Sequence, residues 1–361
     1  MSSPFKKCSL LLINNGHPDR RNPEYVSYIR TIGECLEECG FTVKFLSFTK
    51  PAKLFHKIKS YIFLWLKIIA SKYSAHDIIY INHVTHCFPA IYSTKNNKNK
   101  IIIHWHGEDL LPNNWVLKKL LTTIQGKLRE LTHIVPSEYY KGILNHSLSV
   151  PTNKIHVNPS GGVETNIFSP TDNKPLPYNK LSIGYASSIS KSKGFDIFLA
   201  VSQASCESLT QRNVHTEFHC IDYGPESKKY LSTPPLSSNI SVHKCYDKKE
   251  IHLFYEKIDI LLFPTRRKSE SLGLVALEAM ACGVPVIAPN KFAAPEYIYP
   301  GVSGELFEEY STSEVLKCIE KIHANYNSYS TREVILEKYS KESTVKNYKE
   351  LFAKLNNTKR S

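Results

Sequence analysis

The stretch from Glu270 to Gly283, ESLGLVALEAMACG, constrains the fold of this chain more than any other segment. The apolar run DILLFP precedes it, and VPVIAP follows it directly. The Ala, Leu and Met content of residues 272–281 predicts a helix, which Gly283 ends in the left-handed conformation. The short apolar runs on both sides predict buried strands. A strand, a helix and a second strand in this order indicate neighbouring strands of a parallel sheet.

The same unit predicts where a ligand binds. Parallel sheets bind ligands at the carboxyl ends of their strands, where helices begin. The amide groups of Leu272, Gly273 and Leu274 are therefore expected to point at an anion such as a phosphate. Glu270 lies in the loop beside that anion, and Glu278 lies roughly 12 Å further along the helix axis. Because carboxylates accept hydrogen bonds from sugar hydroxyls, a diphosphate flanked by two sugars, one of them a ribose, fits both ends.

The chain length of 361 residues exceeds one typical core and predicts two domains. Strand and helix patterns alternate along the first part, pause at the proline-rich segment 169–180, and then resume. We expect an α/β architecture of two Rossmann-like, doubly wound parallel-sheet domains that face a central cleft. No apolar stretch of about 18 residues is present, so no membrane-spanning helix is expected.

The composition of the chain limits the classes of binding partner and the cellular compartment that we expect. A net charge of +13 favours an anionic partner, which is a nucleotide, a nucleic acid or an acidic membrane surface. The nine cysteines are an odd number without framework spacing, which indicates reduced thiols in a cytosol. The short apolar run near the N-terminus lacks a small-residue cleavage site and is typical of a strand, not of a signal peptide.

Residues 50–72 form a basic and aromatic segment, and no Asp or Glu occurs between Glu38 and Asp77. A helix over this segment places Leu54, Ile58, Tyr61, Trp65 and Ile69 on one face and most of the lysines towards the other. One interpretation is a helix that packs on the first sheet with its lysines in water. The other is a membrane-docking helix, whose contacts with anionic lipid would come from Lys53, Lys57, Lys59, Trp65 and Lys67.

These motifs together resemble the retaining glycosyltransferases of GT-B fold, in the large family 4 (glycosyl transferases group 1). The similarity is strongest at 263–289, which has the Glu-x7-Glu spacing and the EAMACGxPVIA continuation of that family. It covers nearly the whole chain through shorter matches, which are HWHGED at 104–109, VNPSGGVETNIFSP at 157–170, SKGFD at 192–196 and PEYIYPGVSGELF at 295–307.

The resemblance implies domain boundaries and roles. An N-terminal acceptor domain spans 1–168 and is joined by a C-terminal helix at about 340–361. A linker spans 169–180, and a C-terminal nucleotide-sugar-binding domain spans 181–339. These boundaries imply that the carboxyl end of the chain returns to the first domain.

In such enzymes the first Glu contacts the donor sugar and the second holds the ribose, which assigns these roles to Glu270 and Glu278. The Lys of the "KG" segment, Lys193, stabilises the leaving diphosphate, where charge develops in the transition state. The family usually adds an Arg five positions earlier, where this chain has Ser188. The candidates to supply the second cation are Lys191, Arg266 and Arg267.

The N-terminal domain contributes further candidates. His106 matches the family's histidine near the donor sugar and the acceptor, and Gly16 allows close backbone approach to the donor. Asp109 either lies on the acceptor side or caps the next helix, and Glu164 either contacts the acceptor or braces the linker. The resemblance implies a nucleotide sugar as substrate, no cofactor and no metal, because side chains and helix ends neutralise the diphosphate.

The expected function is retaining transfer of a hexose-type sugar from a nucleotide sugar to a glycan or lipid-linked acceptor, in bacterial surface polysaccharide (O-antigen, capsule or lipopolysaccharide) synthesis. The expected location is the cytoplasm, peripheral on the inner face of the plasma membrane. One alternative is a nucleotide-sugar epimerase or phosphorylase-like enzyme of the same fold. Another is a non-enzymatic basic relative that binds nucleic acid or a membrane complex. Nucleic acid is not expected, because no stripe of interleaved aromatic residues lies outside 50–72.

Overall fold

The computed structural model describes residues 8–19, 25–26, 28–51, 53–93, 101–171, 179–208, 214–232, 237–247 and 249–357. The chain divides into two compact units. The first comprises Met1–Gly162 and Lys341–Ser361, and the second comprises Val163–Ser340. Each unit is built on its own six-stranded sheet with helices between the strands. This confirms the predicted α/β class with two doubly wound sheets.

The first unit has parallel strands in the order β2-β1-β3-β4-β5-β6. Its strands are β1 (Cys8–Ile13), β2 (Phe41–Leu46), β3 (Ile78–Asn82), β4 (Ile101–His104), β5 (Thr132–Val135) and β6 (Ile155–Val157). Its helices are α1 (Tyr28–Glu38), α2 (Leu54–Ala70), α3 (Pro89–Ser93), α4 (Trp115–Leu128), α5 (Glu138–Leu148) and, from the end of the chain, α12 (Lys341–Asn357).

Two apolar cores cover the two faces of the first sheet. Along β1, Leu10 and Leu12 pack into one core, whereas Leu11 and Ile13 pack into the other. Successive strand residues point to opposite faces, so a strand covered on both sides is apolar throughout. The core under Leu10 contains α1 and α12, and the core under Leu11 contains α2, α4 and α5. The helices α2 and α4 therefore lie on the same face of the sheet.

The last helix, α12, is an integral part of the first unit. The hydroxyl of Tyr348 on α12 lies 2.9 Å from the hydroxyl of Tyr80 on β3. Lys341 forms ion pairs of 3.1 Å with both Glu34 and Glu38 of α1. Tyr348 is fully buried, so removal of α12 would open the core on that face of the sheet.

The second unit has parallel strands in the order β12-β11-β10-β7-β8-β9. Its strands are β7 (Lys180–Tyr185), β8 (His215–Ile221), β9 (Ile240–His243), β10 (Ile260–Leu262), β11 (Val286–Pro289) and β12 (Gly304–Phe307). Its helices are α6 (Phe195–Ser208), α7 (Ser227–Leu231), α8 (His252–Tyr255), α9 (Leu274–Ala281), α10 (Thr312–Ala324) and α11 (Thr331–Val334).

The second unit begins at residue 163, earlier than the predicted boundary. The N–H of Val163 donates to the carbonyl of Tyr339 at 2.8 Å. The guanidinium of Arg332 donates to the carbonyl of Phe168 at 2.7 Å, and Phe168 is buried. Residues 163–168 therefore pack with the second unit, because these contacts satisfy their backbone groups there. Of the predicted linker, residues 172–178 lie outside the described residues.

The longest helices among the described residues, α2 and α12, have 17 residues each. Within the described ranges, no helix combines the length and the apolar character that crossing a bilayer requires.

Candidate active site

The predicted unit of strand, loop, helix and strand is present in the second unit. The strands β10 and β11 pair in parallel, and α9 connects them. The helix begins at Leu274, later than predicted, because Gly273 adopts a φ of +86°. A Cβ on Gly273 would lie 2.8 Å from the Tyr297 hydroxyl and 2.9 Å from the Phe263 ring, so glycine alone fits this turn. Gly283, with a φ of +81°, follows the end of the helix as predicted.

The first turn of α9 presents backbone N–H groups at the carboxyl edge of the second sheet. The first N–H groups of a helix have no partner within the helix, and the helix dipole adds partial positive charge there. Leu274 and Val275 begin this turn, and Gly273 precedes it. Leu272 is buried and anchors the loop to the core, so only its backbone is available to a ligand. The geometry suits an anion such as a phosphate.

Glu270 and Lys193 form an ion pair at this edge of the sheet. The ammonium group of Lys193 contacts Oε2 of Glu270, and the hydroxyl of Thr265 donates to the same oxygen at 3.3 Å. The two side chains are only 15% and 16% exposed. Salt screens such a pair weakly, so each charge holds the other in place. Two residues that the sequence assigned to one ligand therefore lie side by side.

Gly194 explains how Lys193 reaches Glu270. Lys193 ends a short 3₁₀ turn, and the hydroxyl oxygen of Ser190 accepts a hydrogen bond from its N–H at 3.3 Å. Gly194 has a φ of +80°, and a Cβ there would lie 2.0 Å from the carbonyl oxygen of Pro264. The turn after β7 thus packs directly against the backbone after β10, its neighbour in the sheet.

Glu278 lies on α9, half-buried among apolar residues of the helix. Its Oε2 accepts a hydrogen bond from the hydroxyl of Tyr255 at 3.1 Å, and Tyr255 itself is fully buried. A carboxylate accepts several hydrogen bonds, so Tyr255 orients the group and leaves it suited to bind hydroxyls. This arrangement fits the ribose role that the sequence assigned to Glu278.

Arg266, one of the expected replacements for the family's Arg, has other partners. Its guanidinium donates to Asp196 at 2.6 Å and to the carbonyl of Lys191 at 3.1 Å, and it stacks 4.8 Å from the ring centre of Tyr310. The carboxylate of Asp196 compensates its charge. In this structure Arg266 braces the turn that carries Lys193, and its contact with the donor stays a prediction.

Two further residues of this turn contribute mainly through their backbone, namely the candidate Lys191 and Ser188, which stands where the family has its Arg. The side chain of Lys191 is exposed, and its N–H donates to Glu226 at 3.1 Å. The carbonyl of Ser188 accepts a hydrogen bond from the hydroxyl of Tyr185 at 3.1 Å. Lys193 is therefore the cation that the described residues place against Glu270.

Tyr297 is a candidate that sequence reasoning missed. Its side chain is fully buried, and its hydroxyl has no hydrogen-bond partner among the described residues. The hydroxyl lies beside Gly273, immediately before α9. Burial, with the nearby charge of Glu270, raises the pKa of Tyr297 well above its usual value, so the group is a neutral donor. The PEYI match contained this residue, but spacing alone did not distinguish it from a packing tyrosine.

His106 lies at the carboxyl edge of the first sheet, just after β4. Its Nε2 is 2.7 Å from Oδ1 of Asn82, and its Nδ1 is 3.3 Å from the hydroxyl of Ser160. Since Oδ1 can only accept, Nε2 carries the proton and Nδ1 accepts from Ser160. His104 lies below with its ring centre 4.2 Å away, fully buried and bonded to Tyr80 at 2.8 Å. Of the two alternating histidines, His106 is the accessible one.

The histidines at this edge are neutral. Burial, reinforced by His104 and His83, lowers the pKa of His106 well below its usual value. Burial also lowers the pKa of His83 to about 4 and that of His104 to about 3. A neutral imidazole offers one donor and one acceptor nitrogen, and in His106 these bond to Asn82 and Ser160. The residue carries no charge, and it can bind a further hydroxyl only in exchange for one of these bonds.

Asp109 has a structural position. Its carboxylate is fully buried and accepts hydrogen bonds from the N–H groups of His106 at 3.0 Å and Gly107 at 2.8 Å. Burial nevertheless raises its pKa to about 6. These bonds correct the acceptor-side expectation: the turn after β4 leaves N–H groups without strand partners, and Asp109 satisfies them. Asp109 is therefore a positioning residue for His106.

Gly16 and Glu164 also have local structural explanations. A Cβ on Gly16 would lie 2.8 Å from Val26 and 3.0 Å from Tyr25, so side chains of the same unit require glycine here. The carbonyl of Glu164 accepts hydrogen bonds of 2.9 Å from the N–H groups of Ile167 and Phe168. Glu164 thus lies in a turn of the second unit, where its backbone fits the predicted bracing role, and its contact with the acceptor stays a prediction. Among the described residues, no three His, Cys, Asp or Glu side chains are grouped to hold a metal ion.

Comparison with solved structures defines the class of fold. Sucrose-phosphate synthase from Thermosynechococcus elongatus is similar with a TM-score of 0.76, at 17% identity over 98% of this chain and 100% of that one. HepE from Anabaena, solved with UDP and glucose, has a TM-score of 0.70 at 14% identity, over 96% and 100% of the two chains. The fold is that of the GT-B glycosyltransferases, as predicted.

Sequence comparison narrows this class. Residues 171–342 match the family model of glycosyl transferases group 1. A protein of the cps region of Klebsiella pneumoniae is 26% identical over 285 residues, 75% of this chain and 70% of that protein. The lipopolysaccharide 1,2-N-acetylglucosaminetransferase of Salmonella typhimurium is 25% identical over 277 residues, 71% and 67% of the two chains. The chain therefore has the GT-B fold, and its second unit matches the glycosyl transferases group 1 model.

Proposed function

We propose that the chain is a glycosyltransferase, which moves a hexose-type sugar, with retention of anomeric configuration, from a nucleotide sugar to a glycan or lipid-linked acceptor. The single observation that carries the proposal is the Lys193–Glu270 pair beside the first turn of α9. The proposed setting is bacterial surface polysaccharide synthesis in the cytoplasm. It is supported by the names of the relatives, one from a cps region and one a lipopolysaccharide glycosyltransferase.

The donor is proposed to lie along α9. Its diphosphate accepts hydrogen bonds from the N–H groups at the start of the helix, near Gly273 and Leu274. Its ribose hydroxyls donate to Glu278, which Tyr255 orients. Its sugar hydroxyls donate to Glu270. HepE, which shares the fold, was solved with UDP-glucose, and this supports a nucleotide sugar as the class of donor.

Lys193 is proposed to act on the leaving group. The bond between the anomeric carbon and the phosphate oxygen breaks, and its electron pair stays on the phosphate. A fixed ammonium group stabilises this charge most in the transition state. The acceptor oxygen then bonds to the same face of the anomeric carbon, and its proton passes to the phosphate oxygen. Because Lys193 already contacts Glu270, the donor must exchange that ion pair for one with its phosphate.

The neutral His106 is proposed to bind a hydroxyl of the sugar through Nδ1, in place of its 3.3 Å hydrogen bond with Ser160. Its protonated Nε2 is held by Asn82, and Ser160 donates to its Nδ1. We expect transfer without an added divalent metal, because Lys193 and the start of α9 supply the positive charge that the diphosphate needs. Retention of full activity in a chelator is the expected result.

The test is a thermal-shift screen with UDP-, GDP-, TDP- and CMP-sugars, followed by product analysis with a glycan acceptor. A ligand that binds only the folded chain raises its melting temperature. We expect a shift with one nucleotide class, its loss in Glu278→Ala, and no loss in the control Glu309→Ala, which changes an exposed glutamate of the same unit. No shift with any donor, or an altered donor without transfer, would reject the proposal.

A further inference from the structure

The helix α2 exposes a broad apolar face that the first sheet does not cover. Leu64 and Ile68 point into the core, and Tyr61 and Trp65 pack against its edge. The indole N–H of Trp65 donates to the carbonyl of His86 at 2.8 Å, which removes Trp65 from the predicted docking residues. Six large apolar side chains are 50–63% exposed, namely Phe55, Ile58, Ile62, Phe63, Leu66 and Ile69.

Lysines surround this apolar face. Lys53, Lys57, Lys59 and Lys67 are exposed. The ammonium of Lys59 lies 4.7 Å from the ring centre of Phe55, and that of Lys67 lies 4.5 Å from the ring centre of Phe63. Such side chains lay their apolar stems along the helix and carry their charge to its border. The nearest acids in the sequence are Glu38 and Asp77, so the helix itself carries basic side chains and no acidic one.

A second patch of the same kind lies at the start of α4. Trp115 is 72% exposed and Val116 is 50% exposed, and the exposed Lys118 and Lys119 follow them. The helices α2 and α4 pack on the same face of the sheet. Both follow parallel strands, so both begin at the carboxyl edge of that sheet. The two patches therefore share one face and one edge of the first unit.

We propose that α2 and the start of α4 form a docking surface for an anionic lipid bilayer. Apolar and aromatic side chains would enter the boundary between headgroups and acyl chains, and the lysines would meet the lipid phosphates. Charge selects this occupant over a second copy of the chain. Two copies joined through this face would bring lysines against lysines, whereas anionic lipid complements them.

The surface is connected to the edge that carries His106. On the inner side of α2, the hydroxyl of Tyr61 accepts a hydrogen bond from Asn15 at 3.4 Å, and its ring stacks on His86 at 5.6 Å. One helix thus has a lipid-facing side and a side at the carboxyl edge of the sheet. Docking would hold a lipid-linked acceptor beside that edge. The docking inference itself does not depend on the transfer reaction.

The first test is flotation of the full chain with vesicles of phosphatidylethanolamine and phosphatidylglycerol, compared with phosphatidylcholine alone. The chain is expected to float with the anionic vesicles, and high salt is expected to weaken this binding because it screens the lysines. Equal recovery with both kinds of vesicle, or no recovery with either, would overturn the proposal.

The second test distinguishes binding through the apolar face of α2 from non-specific hydrophobic adsorption to vesicles. The double variant Ile62→Ser, Leu66→Ser is expected to lower vesicle partitioning at least about tenfold. The matched control Leu253→Ser, Leu336→Ser removes two exposed leucines of the second unit, 40% and 48% exposed. It is expected to change partitioning less than about twofold. Equal losses in the two pairs would reject α2 as the contact.

The third test separates local charge from net charge. Lys59→Glu with Lys67→Glu is expected to lower partitioning about a hundredfold, since each basic residue contributes near the surface. Lys228→Glu with Lys257→Glu makes the same change in net charge at exposed sites of the second unit. If the two pairs lower vesicle partitioning equally, the proposal is overturned. A dimer in solution that the Ile62→Ser, Leu66→Ser variant abolishes would also overturn it. The shift in melting temperature that a donor causes should persist in both test pairs and in both control pairs. A failure of the docking proposal can therefore be told apart from a failure of the proposed function.

Discussion

The carbonyl oxygen of Pro264 lies 2.0 Å from the point where a side chain at Gly194 would begin. This approach holds the turn after β7 against the backbone after β10, and it is what carries Lys193 to Glu270. The position of the cation thus depends on a residue that has no side chain of its own.

Gly194→Ala is expected to displace that turn. The left-handed φ and the clash with Pro264 together should cost about 2–4 kcal/mol of unfolding free energy. Transfer should fall with it, because Lys193 leaves Glu270. The control is Gly126→Ala in α4, where nothing lies within 4 Å of the new Cβ, and it should stabilise by about 0.5–1 kcal/mol. Urea unfolding of both variants checks this, and an unperturbed Gly194→Ala protein would contradict it.

Lys193→Ala is expected to lower kcat by about a thousandfold with a much smaller change in donor KM, because the charge it stabilises develops late. Glu270→Ala should lower transfer by a similar or larger factor while the chain stays folded. Lys191→Ala is the matched control, since Lys191 is exposed on the same turn. Steady-state kinetics of the three variants measure kcat and donor KM separately. A purely KM effect of Lys193→Ala would remove it from the chemical step.

The bond between Tyr255 and Glu278 makes a prediction for ribose binding. Glu278→Ala should raise donor KM and leave kcat nearly unchanged, because ribose contacts persist from ground state to transition state. A donor with deoxyribose should then bind wild type and variant equally. Tyr255→Phe keeps the carboxylate but removes its orienting bond of 3.1 Å, so an intermediate KM is expected. Discrimination against deoxyribose by Glu278→Ala would show that the ribose binds elsewhere.

Tyr297→Phe is expected to leave the melting temperature unchanged or to raise it. The buried hydroxyl has no partner among the described residues, so its removal relieves a desolvation cost of about 1–3 kcal/mol. If the hydroxyl serves the anion at the start of α9, donor affinity should fall several-fold in the same variant. Calorimetric titration beside a melting curve measures both, and loss of stability would point instead to an internal partner.

Acid should destabilise the first unit. Burial lowers the pKa of His83, His86 and His133 to about 4, and that of His104 to about 3. These groups bind protons near pH 6.5 only when unfolded, so their stabilisation is complete above that pH. It is lost towards pH 4 at about 1.4 kcal/mol per pH unit for each histidine.

Asp109 opposes this trend, since its folded pKa is raised to about 6 and its protonation favours the folded state as the pH falls. The four histidines change the free energy of unfolding with pH more than the one carboxyl group does, so acid is expected to destabilise the unit. Urea midpoints at pH 7 and pH 5 check the slope. His133→Gln should flatten it by about one proton, whereas His146→Gln, at an exposed position of α5, should not. A flat profile in the wild type would contradict the argument.

The motifs of the second unit were predictable because local sequence determines them. The apolar runs specify β10 and β11, Gly283 ends α9, and the spacing of Glu270 and Glu278 places both on one structural unit. The partner of Arg266 was not predictable, because Asp196 lies 70 positions away. The role of Asp109 stayed open for a different reason: the sequence allowed either an acceptor contact or a cap, and only the bonds from the N–H groups of His106 and Gly107 distinguish the two.

The face of α2 that packs inward could not be predicted from the sequence either. The helix is apolar on nearly every side, so its periodicity does not distinguish the inward face. The predicted apolar face contained Ile58 and Ile69, which are exposed, whereas Leu64 and Ile68 are buried. Contacts with α3 and with the sheet select this rotation, and those contacts depend on residues distant in the chain.

The first unit is made of two separate stretches of the chain, because α12 supplies Tyr348 to the core beneath β3. During synthesis, the core of the amino-terminal sheet would therefore remain incomplete until α12 has left the ribosome. A stop codon just before residue 341 would leave every strand of that sheet in the product and still deprive the sheet of part of its core.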